Sequence, residues 1–157
     1  MTALSDHSIR KNVKIEPFVE KQTAFGMTYG LSQAGYDVRA RIKDDKPLVL
    51  RPGEFALLVT MEHFEIPNDI VADVKDKSTL ARIGLSLMNT RIEPGWRGYL
   101  TLEASNRSNK GSITIWNGMP IAQLCFWWTD YPCRPYDGKY QDQKADPQSA
   151  IFEADHE

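Results

Sequence analysis

Short segments in which apolar and polar residues alternate recur along this chain, for example at residues 36–40, 55–60 and 99–103. Alternation with a period of two is typical of β-strands that bury one face. Proline, glycine and asparagine interrupt the pattern every few residues, as they do in turns. The pattern therefore predicts an all-β domain, built as an antiparallel sandwich or barrel.

Further strands are predicted at residues 14–18, 48–50, 70–74, 112–115 and 120–126. An apolar strand at residues 85–88, a polar turn at Asn89 and Thr90, and a return strand from Arg91 together predict a β-hairpin. Two short helices are also predicted, one capped by Ser5 and one ended by Gly84. Residues 20–33 show only a weak pattern, and we interpret them as a loop.

Composition is that of one globular domain: 157 residues, of which 41% are hydrophobic and 25% are charged. A net charge of −2 argues against a nucleic-acid partner, because such binders carry a strong basic excess. No apolar run reaches membrane-spanning length, and the first ten residues lack a signal-peptide pattern, so no membrane partner is expected. Cys125 and Cys133 indicate free thiols in a reducing cytoplasm.

The composition changes towards the C-terminus. Residues 1–135 form the predicted β domain, and residues 136–157 form a tail whose first part is polar and rich in Asp and Gln. Composition alone favours a solvated tail. However, Tyr136, Lys139, Tyr140 and Gln143 carry hydroxyl, ammonium and amide groups that can donate hydrogen bonds to an anion.

A second candidate for anion binding lies at the start of the helix before Gly84. Lys77, Ser78 and Thr79 combine a cation, two hydroxyls and the free N–H groups of a helix start. Phosphate is the usual occupant of such an arrangement. The sequence therefore predicts a phosphate site here.

A zinc site is the one metal centre that the sequence suggests and then excludes. His63-Phe64-Glu65 and Pro132-Cys133 match parts of the H-x-E…P-C-x-x-C pattern of zinc deaminases. The second cysteine of that pattern is missing, and the remaining histidines, His7 and His156, lie near the termini. We therefore predict no zinc and no other protein-held metal.

Three segments carry a resemblance to a known superfamily: KSTLARIGL, RIEPGWRGYLTLEASN and GMPIAQLCF. They resemble, in the same order, motifs of the dCTP deaminase/dUTPase superfamily, and most resemble those of dCTP deaminases. The resemblance implies a distorted jelly roll and a homotrimer with its sites at subunit interfaces. It also implies a pyrimidine deoxynucleoside triphosphate as substrate, Mg²⁺ arriving with the triphosphate, and a tail that closes over the phosphates.

The resemblance also implies the residues of the site. Glu103, Arg82 and Ser78 match catalytic residues, with Glu103 moving the protons as water attacks C4 of cytosine; a surface role for Arg82 stays open. Chemistry makes the same demand, since hydrolytic deamination needs a base for water and an acid for the leaving ammonia. The implied substrate-binding residues are Lys77, Ser78, Thr79, Asn89, Thr90, Arg91, Glu93, Trp96, Gln123, Tyr136, Lys139 and Gln143.

Some features leave alternatives open. Asp37 suits either a core strand or the substrate, and Trp96 suits either the deoxyribose or the core. Glu93 stands where the superfamily generally has aspartate, and the predicted hairpin has the short length of a dUTPase hairpin. The leading hypothesis is hydrolytic deamination of dCTP to dUTP and ammonia without zinc. The alternatives are a dUTP or dCTP diphosphatase, a bifunctional deaminase-diphosphatase, and a nucleotide-binding regulator without turnover.

Overall fold

The structure is a computed structural model that describes residues 2–44 and 46–153. It consists of thirteen strands and two short helices within those residues. The strands are β1 Thr2–Ala3, β2 Lys14–Glu16, β3 Gln22–Ala24, β4 Met27–Ser32, β5 Gly35–Arg41, β6 Leu48–Leu50, β7 Phe55–Glu65, β8 Ile70–Asp76, β9 Leu85–Leu87, β10 Arg91–Ile92, β11 Arg97–Asn106, β12 Ile113–Ile115 and β13 Pro120–Trp128. The helices are α1 Asp6–Asn12 and α2 Ser78–Ala81.

One curled antiparallel sheet contains most of the strands. Its main path runs in the order β10-β8-β13-β5-β7-β11-β9, while β1, β2 and the β3–β4 hairpin attach at its sides. The sheet has two halves: β10, β8 and β13 lie in one, and β7, β11 and β9 lie in the other. Strand β5 joins them, because it pairs with β13 and also, at Ala40 and Arg41, with β7. Strands β6 and β12 form a separate pair. The all-β prediction is confirmed.

The two halves of the curled sheet enclose the core. Its largest fully buried side chains include Tyr36 on β5, Phe64 on β7, Phe126 on β13 and Leu102 on β11. On β11, Leu100 and Leu102 face this core, as the alternation predicted. Glu103 therefore projects from the opposite face of the same strand.

Residues 20–33, predicted to be a loop, form the β3–β4 hairpin instead. Ala24 pairs with Met27, and the two turn residues Phe25 and Gly26 both have positive φ, at 53° and 70°. Positive φ at both central residues is the geometry of the tight turn that matches strand twist. Phenylalanine is a rare residue at the first of these positions, so the sequence carried a weak turn signal.

The predicted hairpin at residues 85–92 is wrong as a pairing, although both of its strands exist. Strand β9 pairs with β11, whereas β10 pairs with β8 in the other half of the sheet. The segment between them therefore crosses from one half to the other. Local sequence cannot reveal this, since the partners of each strand are distant in the chain.

Both short helices are confirmed. The Ser5 side chain accepts a hydrogen bond from the Ser8 backbone N–H and caps α1. Helix α2 is a single turn that ends before Gly84, whose φ is +98°. No helix in residues 2–44 and 46–153 is long and apolar enough to cross a membrane.

A buried ion pair joins the two halves of the sheet. Arg39 Nε on β5 lies 2.7 Å from Glu62 Oε1 on β7, and the Arg39 backbone N–H donates to Glu62 Oε2 at 3.0 Å. The Glu62 side chain is fully buried. Burial raises the pKa of Glu62, and the contacts with Arg39 act against that rise.

We expect Arg39→Met to lower the free energy of unfolding by about 3 kcal/mol at pH 7, because it leaves a buried carboxylate unpaired. A raised folded-state pKa means that Glu62 favours folding most below its unfolded pKa, and less as pH rises through the folded pKa. The loss of unfolding free energy caused by Arg39→Met should therefore be smaller near pH 4–5 than at pH 7. Urea unfolding of both proteins at the two pH values measures this. Adding Glu62→Leu to the variant should restore stability, and equal losses at both pH values would contradict the prediction.

Candidate functional site

A cavity of about 370 Å³ opens beside strand β11. Four parts of the chain form it: the start of β7, the crossing segment after β9, strand β11, and the C-terminal segment. The residues around it are Phe55, Leu57, Asn89, Thr90, Arg91, Ile92, Glu93, Trp96, Leu100, Thr101, Glu103, Tyr136, Tyr140, Gln143, Gln148 and Ala150.

Glu103 is the half-buried carboxylate of this cavity. It lies opposite Leu57 in the β11–β7 ladder, and its carboxylate makes no hydrogen bond or ion pair with any described residue. Burial alone raises the pKa of Glu103 above its ordinary value. A carboxyl group with a raised pKa and no partner among the described residues is suited to accept and return a proton of a bound ligand.

An irregularity in the β7–β11 ladder positions this part of β11. Three residues of β7, 60–62, lie opposite the single residue Leu100. The Leu100 backbone N–H donates to Thr60 Oγ1 at 3.0 Å, and that hydroxyl donates to the Glu62 carbonyl oxygen at 2.7 Å. Bulges of this kind re-aim side chains and are common next to active sites.

The side chain of Asn89 borders the cavity and bonds to β11. Its Nδ2 donates to the Thr101 carbonyl oxygen at 2.8 Å, and its Oδ1 accepts from the Glu103 N–H at 2.9 Å. The predicted substrate-binding residue Asn89 therefore lies at the cavity, but its amide is already engaged within the chain.

The C-terminal segment is packed on β11, so the solvated tail that composition favoured is not what forms. Gln143 makes a parallel bridge to Gly98, and the Tyr99 N–H donates to the Gln143 carbonyl oxygen at 3.0 Å. The Gln143 side-chain oxygen accepts from both the N–H and the hydroxyl of Thr101, at 3.2 and 3.1 Å. Thr101 Oγ1 accepts in turn from the Gln148 N–H at 2.9 Å.

Ion pairs add to this packing. Arg97 on β11 makes a bidentate contact with Asp142, and this hydrogen bond lowers the pKa of Asp142. Lys43 pairs with Asp146. Both pairs are exposed, so each contributes little on its own. The last four residues of the predicted tail, 154–157, lie outside the described residues, as does His156 among them.

Trp96 is both a cavity residue and a buried anchor. It is buried, and its indole N–H donates to the Tyr140 carbonyl oxygen at 2.6 Å. Tyr140 and Tyr136 line the same cavity, and the Tyr140 N–H donates to the Tyr136 hydroxyl. The tryptophan therefore ties the C-terminal segment to the cavity wall.

Thr90, Arg91 and Glu93 also reach the cavity, as expected of substrate-binding residues. Arg91 is held by a bidentate contact with Asp73 on β8, with 3.0 Å between Nε and Oδ1. That contact raises the pKa of Arg91. Glu93 is exposed, and its side chain makes no hydrogen bond or ion pair with the described residues.

Six predicted site residues do not line this cavity in the single chain: Lys77, Ser78, Thr79, Arg82, Gln123 and Lys139. Ser78, Thr79 and Arg82 are exposed on and beside α2, and Arg82 donates to the Ser78 carbonyl oxygen. Gln123 lies on β13 and donates to Ser32 Oγ, while Lys139 pairs with Glu153.

Lys77 is engaged within the chain. Its Nζ lies 2.5 Å from Asp37 Oδ2, and both side chains are largely buried. Asp37 Oδ1 is also buried and has no partner in the part of the chain described. The open question about Asp37 is thus resolved within the single chain: it pairs with Lys77 rather than lining the cavity.

The residues that partly match the zinc pattern do not gather. His63 packs edge-on against Tyr99, and Cys133 is exposed on the segment after β13. Residues 2–44 and 46–153 contain no group of three His, Cys, Asp or Glu side chains that could hold an ion.

Comparison with known proteins gives the family. The sequence model of the dCTP deaminase-like family matches residues 31–129. The chain belongs to this family. The "dCTP deaminase" of Thermococcus kodakarensis is 35% identical over 90% of this chain and 93% of its own length. The "dCTP deaminase, dUMP-forming" of Methanoculleus marisnigri is 43% identical over 70% of this chain, and the match spans only 59% of that protein.

Solved structures show the same fold. A dCTP deaminase from Agrobacterium tumefaciens aligns with a TM-score of 0.63 at 20% identity, over 79% of this chain and 48% of its own. A mutant dUTPase from phage phi11 of S. aureus, described with a structural Mg(II) ion, aligns with a TM-score of 0.58 at 18% identity. That alignment covers 81% of this chain and 97% of the phage chain. The predicted superfamily and its dUTPase-like fold are confirmed.

Several cavity residues were not predicted from the sequence. Thr101 had a usable signal, because it alternates with Glu103 on one strand. Gln148 and Phe55 had none, since only the path of the C-terminal segment and the start of β7 bring them to the cavity.

Gly98 allows the close approach of the C-terminal segment. Its φ is +144°, and a Cβ there would lie 2.7 Å from the Gln143 backbone nitrogen. We expect Gly98→Ala to detach this segment from β11 and to speed tryptic cleavage after Lys139 and Lys144 several-fold. Gly111→Ala is the matched control, because its φ is +140° but no atom lies within 4 Å of its Cβ. Equal cleavage rates in both variants would contradict the role assigned to Gly98.

Proposed function

We propose that this chain is a zinc-independent hydrolytic deaminase that converts dCTP and water to dUTP and ammonia. The observation that carries the proposal is Glu103: a half-buried carboxyl with a raised pKa and no intramolecular partner among the described residues, at the cavity of a dCTP deaminase-like domain. The names of the Thermococcus and Methanoculleus relatives support the same substrate.

The reaction needs one group that both accepts and donates a proton. The Glu103 carboxylate takes a proton from water as the water oxygen bonds to C4 of the cytosine. The protonated carboxyl gives this proton to N3, which leaves C4 carrying a hydroxyl and an amino group. The carboxylate then takes the hydroxyl proton and gives it to the amino group, so that C4=O forms, the C4–N bond breaks and ammonia leaves. A carboxyl whose pKa is raised by burial suits both halves of this cycle.

The remaining cavity residues suit the rest of the nucleotide. Trp96 presents an aromatic ring for the deoxyribose, and Thr90, Arg91 and Glu93 border the cavity near it. We propose that Mg²⁺ enters with the triphosphate, held mainly by phosphate oxygens and water. Residues 136–157 would close over the phosphates through Tyr136, Lys139 and Gln143. We expect a cytoplasmic enzyme, where its thiols stay reduced.

A bifunctional enzyme that also releases pyrophosphate and forms dUMP is the second candidate. It is supported by the name of the Methanoculleus relative, a dUMP-forming dCTP deaminase, and by Glu93, a second carboxylate at the cavity. The two reactions need water at different points, C4 of the base and the α-phosphorus. Glu103 is assigned to the first, and Glu93 to the sugar and phosphate side.

We expect Glu103→Gln to lower ammonia release from dCTP by roughly a hundred- to ten-thousand-fold, because the amide cannot cycle a proton. Nucleotide binding should persist, since the amide keeps the size of the carboxyl. Ammonia and pyrophosphate should be measured in parallel, with Glu16→Gln on the exposed surface as control. Wild-type deamination by Glu103→Gln, or loss of all activity only in Glu93→Gln, would sink the deaminase assignment.

We also propose a homotrimer in which neighbouring chains complete each site. In the single chain, Ser78 and Arg82 are exposed and away from the Glu103 cavity. Beside them, Ile83 and Met88 expose 54% and 44% of their surface, which suits burial against another copy. Cyclic symmetry would then give three equivalent sites.

Light scattering should give a mass of about three chains. Co-expression of two inactive variants, Arg82→Ala and Glu103→Gln, tests shared sites directly. If each site takes Arg82 and Glu103 from different chains, about a quarter of all sites in a random mixture regain both side chains, and activity returns. A monomer, or mixed trimers without activity, would contradict the proposal.

A further inference from the structure

The ladder between β9 and β11 ends next to Glu103. The last paired residues are Leu87 and Ala104, and the Met88 N–H still donates to the Glu103 carbonyl oxygen at 2.9 Å. Beyond this point the chain turns away towards β10, which belongs to the other half of the sheet. The edge of β11 at Thr101 to Glu103 would therefore lose its strand partner.

The Asn89 side chain takes the place of that partner. Its amide accepts from the Glu103 N–H at 2.9 Å and donates to the Thr101 carbonyl oxygen at 2.8 Å. One acceptor and one donor, bonded to residues two apart, is what a neighbouring strand offers. The side chain thus extends the ladder by one rung while the backbone leaves it.

We propose that Asn89 is a positioning residue: its amide holds the Glu103 backbone, and thereby the carboxylate, in the place where a cytosine would react. The proposal rests on the proposed deaminase function and gives Asn89 a role other than the substrate binding expected of it, because its Oδ1 and its Nδ2 each bond to β11. The same rung leaves the crossing segment free to line the cavity mouth with Thr90 and Arg91.

Two physical arguments connect this rung to rate. A displacement of a catalytic group by about 1 Å can cost on the order of a hundred-fold in rate. The opposite edge of β11 pairs regularly with β7 from Thr101 to Ser105, but this ladder is irregular just before that stretch, between Tyr99 and Thr101. Asn89 therefore adds hydrogen bonds to the other edge of β11 directly after this irregularity, at Thr101 and Glu103.

The experiment uses the full chain and three variants: Asn89→Ala, Asn89→Asp and the control Asn117→Ala. Asn117 accepts a backbone N–H from Ile42 far from the cavity, so its loss reproduces a purely structural effect. We expect Asn89→Ala to lower kcat for dCTP about ten- to a hundred-fold with little change in KM. Asn117→Ala should leave both nearly unchanged.

Asn89→Asp keeps the size and the acceptor but places a second carboxylate against β11. The other titratable side chains around the cavity are Arg91, Glu93, Tyr136 and Tyr140. An added negative charge near Glu103 should move the acid limb of the kcat/KM profile to higher pH, because the working base form appears later. A merely structural loss would lower the profile without moving that limb.

Hydrogen exchange of the Glu103 amide gives a readout without turnover. In Asn89→Ala this amide should exchange at least ten-fold faster than in wild type, and Asn117→Ala should leave it unchanged. If the Glu103 amide exchanges at the wild-type rate in Asn89→Ala, the hydrogen bond from this amide to Asn89 is contradicted. Faster exchange with wild-type kcat, or a raised KM with unchanged kcat, overturns the positioning role.

The outcome is separable from that of the proposed function. If the wild-type protein releases no ammonia from dCTP, deamination fails whatever the variants do, and the exchange experiment still tests the rung. If Asn89→Ala does not fold, Asn89→Asp supplies both the exchange rate and the pH profile.

Discussion

Every backbone group of a buried strand needs a hydrogen-bond partner, and strand β11 meets this requirement in three different ways along one edge. Its N-terminal part bonds to Gln143 of the C-terminal segment, its middle to the Asn89 side chain, and its end to β9. The cavity lies where these three partners meet. The position of the cavity therefore depends on which groups supply the hydrogen bonds along this edge of β11.

This arrangement explains why the Glu103 side chain is half-buried and yet forms no hydrogen bond or ion pair with the described residues. The core packs against Leu102 and Ala104 on one face of β11, and the C-terminal segment covers Thr101 on the other. Between these contacts the Glu103 carboxylate has no partner among the described residues, so burial raises its pKa without a cation to lower it. The raised pKa of Glu103 thus follows from packing rather than from a charged neighbour.

A second buried polar group, the pair of Lys77 and Asp37, differs from Glu103 because its charges are paired within the chain. Lys77 and Asp37 satisfy each other in the interior, 2.5 Å apart, and link the start of α2 to β5. The lysine was expected at a phosphate, and in the single chain its ammonium forms an ion pair with the Asp37 carboxylate. The neighbouring Ser78 and Arg82 are exposed and lie outside the cavity beside Glu103.

The amino-acid sequence by itself determined the all-β class, most strand positions, the Ser5 cap and the family, because these depend on local periodicity and on motifs read in order. It also placed Glu103 on the face of its strand opposite the core. Only the tertiary structure decided that β9 and β10 lie in different halves of the sheet. It also decided that the Asn89 side chain bonds to the edge of β11, and that Gln143 and Gln148 contact Thr101. Those contacts join residues 12 to 47 positions apart, and no local pattern encodes which distant edge a polar side chain will satisfy.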